Sequence, residues 1–128
     1  MDHGIERRRE RRLRYHWPVW FAEDFDGELT QGQMVDVSSG GAAFSCYSDC
    51  NVYTGQRLTA RFSVPDISVD GVFEMAGFTR SGTVCRVEQT TADLRRVAVQ
   101  FAQVLTFKPG EQAKSEEDEK SRLSLVTI

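Results

Sequence analysis

Histidine, cysteine and proline are all scarce in this chain. There are two histidines, three cysteines and three prolines in 128 residues. His3 and His16 have no cysteine or carboxylate at zinc-ligand spacing, and Cys46 and Cys50 have no second ligand pair after them, so no metal is expected. Cys46, Cys50 and Cys85 form no C-x-x-C pair, and an odd number leaves one unmatched in any disulfide scheme, which points to the reducing cytoplasm. No segment approaches the roughly 18–20 consecutive apolar residues that span a bilayer. The opening MDHGIERRRE lacks the apolar stretch of a secretory signal. Neither a phosphate-cradling G-x-x-x-x-G-K-[ST] nor a nucleophile elbow G-x-S-x-G occurs. Nothing resembles a catalytic constellation, so an enzyme is not expected, and neither is membrane insertion.

What is present suits one β-rich domain: 40% hydrophobic residues, ten glycines and a net charge of −3. A net acidic chain does not favour general adhesion to nucleic acid. The charge is nonetheless uneven. Residues 1–14 carry six arginines (Arg7, Arg8, Arg9, Arg11, Arg12, Arg14) against Asp2, Glu6 and Glu10, whereas residues 111–120 carry five acids against Lys114 and Lys120. A basic entry and an acidic exit flank a nearly neutral body.

The spacing of apolar residues predicts an arm over 1–12, a β domain over 13–107 and a charged tail over 108–128, helical or disordered. LRYHWPVWF reads as a bulged or edge strand because of Pro18. A second strand is expected around 28–37, with Gly32 marking a bulge or turn, and a short one at AAFSC. RLTARFSV alternates with period two until Pro65 and Asp66 interrupt it. GVFEMAGFTRSGTVCRVEQTT reads as two pieces around a turn near Gly77, and TVCRVEQ alternates imperfectly. DLRRVAVQFAQV is the clearest strand, with Val97, Val99 and Phe101 on one face. Six or seven short strands and no amphipathic helix in the body predict an antiparallel barrel or sandwich.

DVSSGG has the spacing D-x-S-x-x-G over Asp36, Ser38 and Gly41. The plain reading is turn chemistry: Asp36 and Ser38 bond the backbone and Gly41 takes a positive φ. The arm contains R-x-x-x-R in two registers, Arg7 with Arg11 and Arg8 with Arg12. Guanidinium groups can fork onto phosphate, pair with guanine O6 and N7, or stack on a purine, whereas lysine manages only the first. The aromatics Trp17, Trp20 and Phe21 could stack on bases, but in a strand they more often serve the core.

An R-x-x-x-R arm entering a first strand, with D-x-S-x-x-G at the end of the next, resembles the PilZ domain family over roughly residues 6–105. RRVAVQF looks like that family's closing strand. The resemblance implies an all-β fold, a six-stranded antiparallel PilZ-type barrel with a flexible basic arm and a charged tail. It implies a non-enzymatic receptor for cyclic di-GMP, with Arg7, Arg8, Arg12, Asp36, Ser38 and Gly41 as the ligand-binding residues and Arg9 and Arg11 as accessory contacts. Matching RRRERR to an R-R-R-x-x-R form favours Arg8 with Arg12 over Arg7 with Arg11. In that register Arg7 directly precedes the motif, which in the family accompanies two stacked ligands per protomer. The family often has an aromatic or proline inside R-x-x-x-R, whereas here the insert is Arg9, Glu10 and Arg11.

In this reading, ligand binding orders the arm and the shape change is read by a downstream protein that the sequence does not identify. The alternative is a nucleotide-independent protein-interaction module of the same fold. A nucleic-acid-binding barrel is a third reading, opposed by the net charge and the acidic tail.

Overall fold

Alternation with period two shapes much of the molecule, β7 most plainly, whereas β4 is buried at four successive positions. The computed structural model describes residues 10–67 and 73–112. Seven strands follow in chain order: β1 Leu13–Arg14, β2 Pro18–Ala22, β3 Thr30–Val37, β4 Gly41–Tyr47, β5 Arg57–Ile67, β6 Phe73–Gln89 and β7 Leu94–Phe101. A single 3₁₀ turn, Pro109–Glu111, follows. Among the described residues no helix is long and apolar enough to cross a membrane.

Six of the strands close into an antiparallel ring. β3 pairs with β2, then β5, β6, β7 and β4 follow, and β4 returns to β3. β1 is appended to β3 through Leu13 opposite Val37 and Arg14 opposite Asp36. Between β1 and β2 the pairing to β3 persists, with Tyr15 N–H donating to the Val35 carbonyl at 3.2 Å and Met34 N–H donating to the Trp17 carbonyl at 2.7 Å. LRYHWPVWF is therefore one interrupted strand running along β3, with Pro18 where the regular ladder resumes. The expected bulged strand and antiparallel barrel are both present.

The inward positions fill the barrel. Val19, Met34, Val37, Phe44, Val64, Val84 and Val97 are almost wholly inaccessible. Phe62 stacks on Phe101 with ring centres 5.5 Å apart, and Phe21 meets Phe44 at 4.7 Å. β-Branched and aromatic residues suit this role because they pack across a pleated surface with little rotamer freedom to lose. Tyr15 seals one flank, its hydroxyl donating to the Ser63 carbonyl at 2.7 Å, and burial pushes its phenol pKa up.

Four local expectations are corrected. There is no turn at Gly77: β6 runs through it without a break, with Gly77 opposite Ser63. Pro65 does not end β5, which continues to Ile67 with Pro65 opposite Met75. A proline is tolerated there because β2 covers β5 only from Thr59 to Phe62, which leaves the flank beyond without a ladder for a missing N–H to break. Gly32 is an ordinary strand position, and the bulge in β3 lies between Met34 and Asp36. What Gly32 supplies is clearance, since a Cβ there would come within 2.7 Å of the Ser45 carbonyl. Gly41 does not have a positive φ; among the described residues Gly55 alone does.

Candidate functional site

The D-x-S-x-x-G segment is the corner between β3 and β4. Asp36 sits on β3, the chain turns at Ser38–Gly40, and Gly41 opens β4. The corner is closed by Ser38 N–H donating to the Gly41 carbonyl at 2.8 Å, with the Ser38 hydroxyl on the same oxygen at 3.4 Å. Two further bonds tie it to the end of β7 and the chain just after it: Phe101 N–H donates to the Gly40 carbonyl and Leu105 N–H to the Ser39 carbonyl, both at 2.8 Å. Gly41 is required by proximity, because a Cβ would lie 2.5 Å from the Val99 carbonyl of β7. The corner is thus a rigid shelf held from both sides.

The arginine arm enters across this shelf. The Arg12 guanidinium donates from Nη1 to Asp36 Oδ1 at 2.9 Å, with 54% of its side chain still exposed and 18% of the aspartate's. Glu10 reaches the turn itself: Ser39 N–H donates to its Oε2 and the Ser39 hydroxyl to its Oε1, each at 2.7 Å. Arg11 N–H donates to Glu111 Oε2 at 2.9 Å. Gly110, in the buried 3₁₀ turn, packs so closely that a Cβ would overlap the Arg11 carbonyl. The Gln112 side chain anchors that turn to the Pro65 carbonyl at 2.9 Å.

Glu10, Arg11 and Arg12, expected to belong to a flexible arm, are therefore already docked. The rest of the expected arm, including Arg7, Arg8 and Arg9, lies outside the described residues, as does the expected tail from residue 113 onward. Of the two R-x-x-x-R registers the structure describes one member each: Arg12 turns its guanidinium to Asp36, and Arg11 is held through its backbone N–H.

Arg12, Ser38, Gly40 and Gly41 line a cavity of about 380 Å³. Further lining was not foreseen: Cys85 and Arg86 of β6 and Ala98 and Gln100 of β7. The pairing of β6 with β7 slips between Val84 and Arg86, leaving Cys85 and Arg86 as consecutive exposed residues. A bulge that re-aims a side chain in this way explains the imperfect alternation of TVCRVEQ. Arg86 meets Glu88 at 3.7 Å with both side chains largely exposed, a weak pair that an anionic ligand can displace. The cavity thus counts two arginines, Arg12 and Arg86, among its lining residues beside the small residues of the corner, with a volume typical of a small-molecule site.

Two other concavities lack this chemistry. One of about 290 Å³ is lined by Glu23, Asp24 and Glu28, which would repel an anion, and one of about 480 Å³ has no charged residue in its lining. Among the described residues no three His, Cys, Asp or Glu side chains converge as a metal site would require.

The order of motifs, the closed six-strand ring and the shelf-and-arm geometry agree with a comparison by sequence. A profile described as the PilZ domain matches residues 6–113. The chain belongs to the PilZ domain family. PilZ domains are non-enzymatic domains of cyclic di-GMP receptors. No curated protein matches the chain. Among solved structures, the Bacillus subtilis inhibitor of motility (MotI/DgrA) is similar in fold, with a TM-score of 0.61 and 14% identity. The match covers 91% of this chain and 52% of that one, so this PilZ chain spans about half of its neighbour's length.

Proposed function

We propose that this PilZ domain is a cyclic di-GMP receptor that conveys ligand occupancy to a protein partner. The observation that carries the reading is that Arg12, the corner residues Ser38, Gly40 and Gly41, and Arg86, widely separated in sequence, line one cavity. Arg12 and Arg86 would take phosphate or guanine edges, Asp36 would orient Arg12 or accept guanine N–H groups, and Ser38 would donate to the phosphate or ribose region. Gly41 keeps the shelf flat beneath the ligand. Arg7, Arg8 and Arg9, with Arg11, would complete the grip, and Arg7 before the motif favours two stacked ligands per protomer.

Residues 10–12 are docked in the folded chain. These three residues therefore add little to the ordering cost, about 1–2 kcal/mol per residue, that binding would otherwise have to overcome. The named role of the similar protein, inhibitor of motility, makes a motility component one class of partner to test.

A second reading has its own observation. Arg12 on Asp36 and Glu10 on Ser39 satisfy the corner internally, as a nucleotide-independent interaction module would require. Isothermal titration with cyclic di-GMP, using GMP and cyclic di-AMP as controls, separates the two. Saturable binding with a stoichiometry near two is expected. A stoichiometry near one would sink the stacked-pair reading, and no heat at tens of micromolar ligand would leave the module.

A further inference from the structure

The R-x-x-x-R insert contains a carboxylate, Glu10, where electrostatics alone would place none in an anion-binding arm. Its geometry gives it a task. Both Glu10 oxygens are held at 2.7 Å, one by the Ser39 N–H and one by the Ser39 hydroxyl, in the turn whose Ser38 and Gly40 line the cavity. Charge-assisted bonds of this length are about twice as strong as neutral ones. Two residues later the chain presents Arg12 to Asp36. Between these points Arg11 N–H is caught by Glu111, and the backbone of Gly110 lies against the Arg11 carbonyl. Three consecutive residues are thus held by four others, Ser39 and Asp36 at the β3–β4 corner and Gly110 and Glu111 in the 3₁₀ turn after β7.

We infer that Glu10 is a positioning residue: its carboxylate clips the arm to Ser39 so that Arg12 stands over the shelf before ligand arrives. The inference rests on the receptor reading above for its consequence, though not for its geometry. The clip also explains why Ser39, a variable position within D-x-S-x-x-G, carries a hydroxyl: its backbone N–H alone would hold only one carboxylate oxygen. Glu10 is not among the residues that line the cavity, whereas Arg12 is, so it acts through Arg12.

The test compares Glu10→Ala with Glu10→Gln in the full chain. Both remove the negative charge, while glutamine can still accept from the Ser39 N–H and donate to the Ser39 hydroxyl. The difference between them therefore reads the contact and not the charge. Titration with cyclic di-GMP is expected to show a dissociation constant about 10-fold weaker for Ala than for Gln, with Gln close to wild type or tighter. In ligand-free protein, hydrogen exchange at the Ser39 amide is expected to accelerate about 10-fold or more in Glu10→Ala and to be restored in Glu10→Gln. A tether that served stability alone would lower the melting temperature of Glu10→Ala without separating the two affinities. Equal affinities, or tighter binding by Ala, would overturn the inference. If wild type itself binds no cyclic di-GMP, the receptor reading fails instead, and unchanged Ser39 exchange in Glu10→Ala would remove the clip as well.

Discussion

Arg12 and Arg95 put the same guanidinium to opposite uses. Arg95 on β7 is partly buried and donates from Nη1 to the Val52 carbonyl at 3.1 Å and from Nη2 to the Ser48 carbonyl at 2.8 Å, stapling the loop after β4 to the barrel wall. Arg12 is half exposed and, among the described residues, holds a single acceptor, Asp36. A guanidinium has five N–H donors in a fixed fork. Where backbone carbonyls occupy the fork, the residue is part of the fold. Where most of the fork faces a cavity, the residue is available to a ligand. The difference lies in the acceptors around each arginine, and the two can be separated experimentally.

The largest effect is expected at Arg12. Arg12→Ala should weaken cyclic di-GMP binding about a hundredfold, roughly 2.8 kcal/mol at micromolar affinity, with the melting temperature nearly unchanged. Arg12→Lys should restore little, because lysine cannot form the planar fork. Arg95→Ala should show the reverse, a loss of about 1–3 kcal/mol in urea unfolding with the affinity largely intact. If Arg95→Ala abolished binding in a still-folded protein, the distinction between the two arginines would collapse.

The comparison sharpens at two glycines. Gly41→Ala places a methyl against the Val99 carbonyl and should cost about 1–3 kcal/mol of stability. Gly110→Ala pushes instead on the Arg11 backbone, so it should weaken cyclic di-GMP binding several-fold, read by titration.

The smallest effect concerns the thiols and pH. Burial, reinforced by a hydrogen bond with Cys50, pushes Cys46 up from 9.0 to about 12. A folded-state value above the unfolded one means a contribution to stability that is complete below pH 9 and is lost as pH rises toward 12. Unfolding midpoints at pH 8 and pH 10.5 should fall for wild type and fall less for Cys46→Ala. Exposed Cys85 should be alkylated well before buried Cys46.

Much of the barrel was legible because period-two alternation forces its own reading: Val97, Val99 and Phe101 could point only one way. The errors fell on residues with two meanings. Gly77 carries the same turn signal whether it bends a chain or sits exposed in a long strand, and only the partner strand β5 decides. Pro65 depends likewise on whether a neighbouring strand needs its N–H. At the site, Asp36, Ser38 and Gly41 were legible as a spacing, and Arg12 as a member of one register. Arg86 was not, because its place in the cavity comes from a slip in pairing more than seventy positions after Arg12. Glu10 entered the sequence reading only as one acid in the charge tally and as part of the insert, since its partner, Ser39, is a contact across 29 positions.

The pairing of β4 with β7 has a consequence for how the chain folds. β5 and β6 form a hairpin whose partners lie 6 to 26 positions apart, from Ile67 with Phe73 to Arg57 with Thr83. β4 must find β7 across 47 to 59 positions, from Tyr47 with Leu94 to Gly41 with Gln100. Long loops close more slowly than short ones, so the hairpin is expected to form early and the β4–β7 seam late. Gly41 sits in that seam, and the Ser38–Gly41 shelf is bolted to Phe101 and Leu105 just beyond it. A partly folded chain would then have a β5–β6 hairpin but no shelf, so ligand could recognise only molecules that had finished folding.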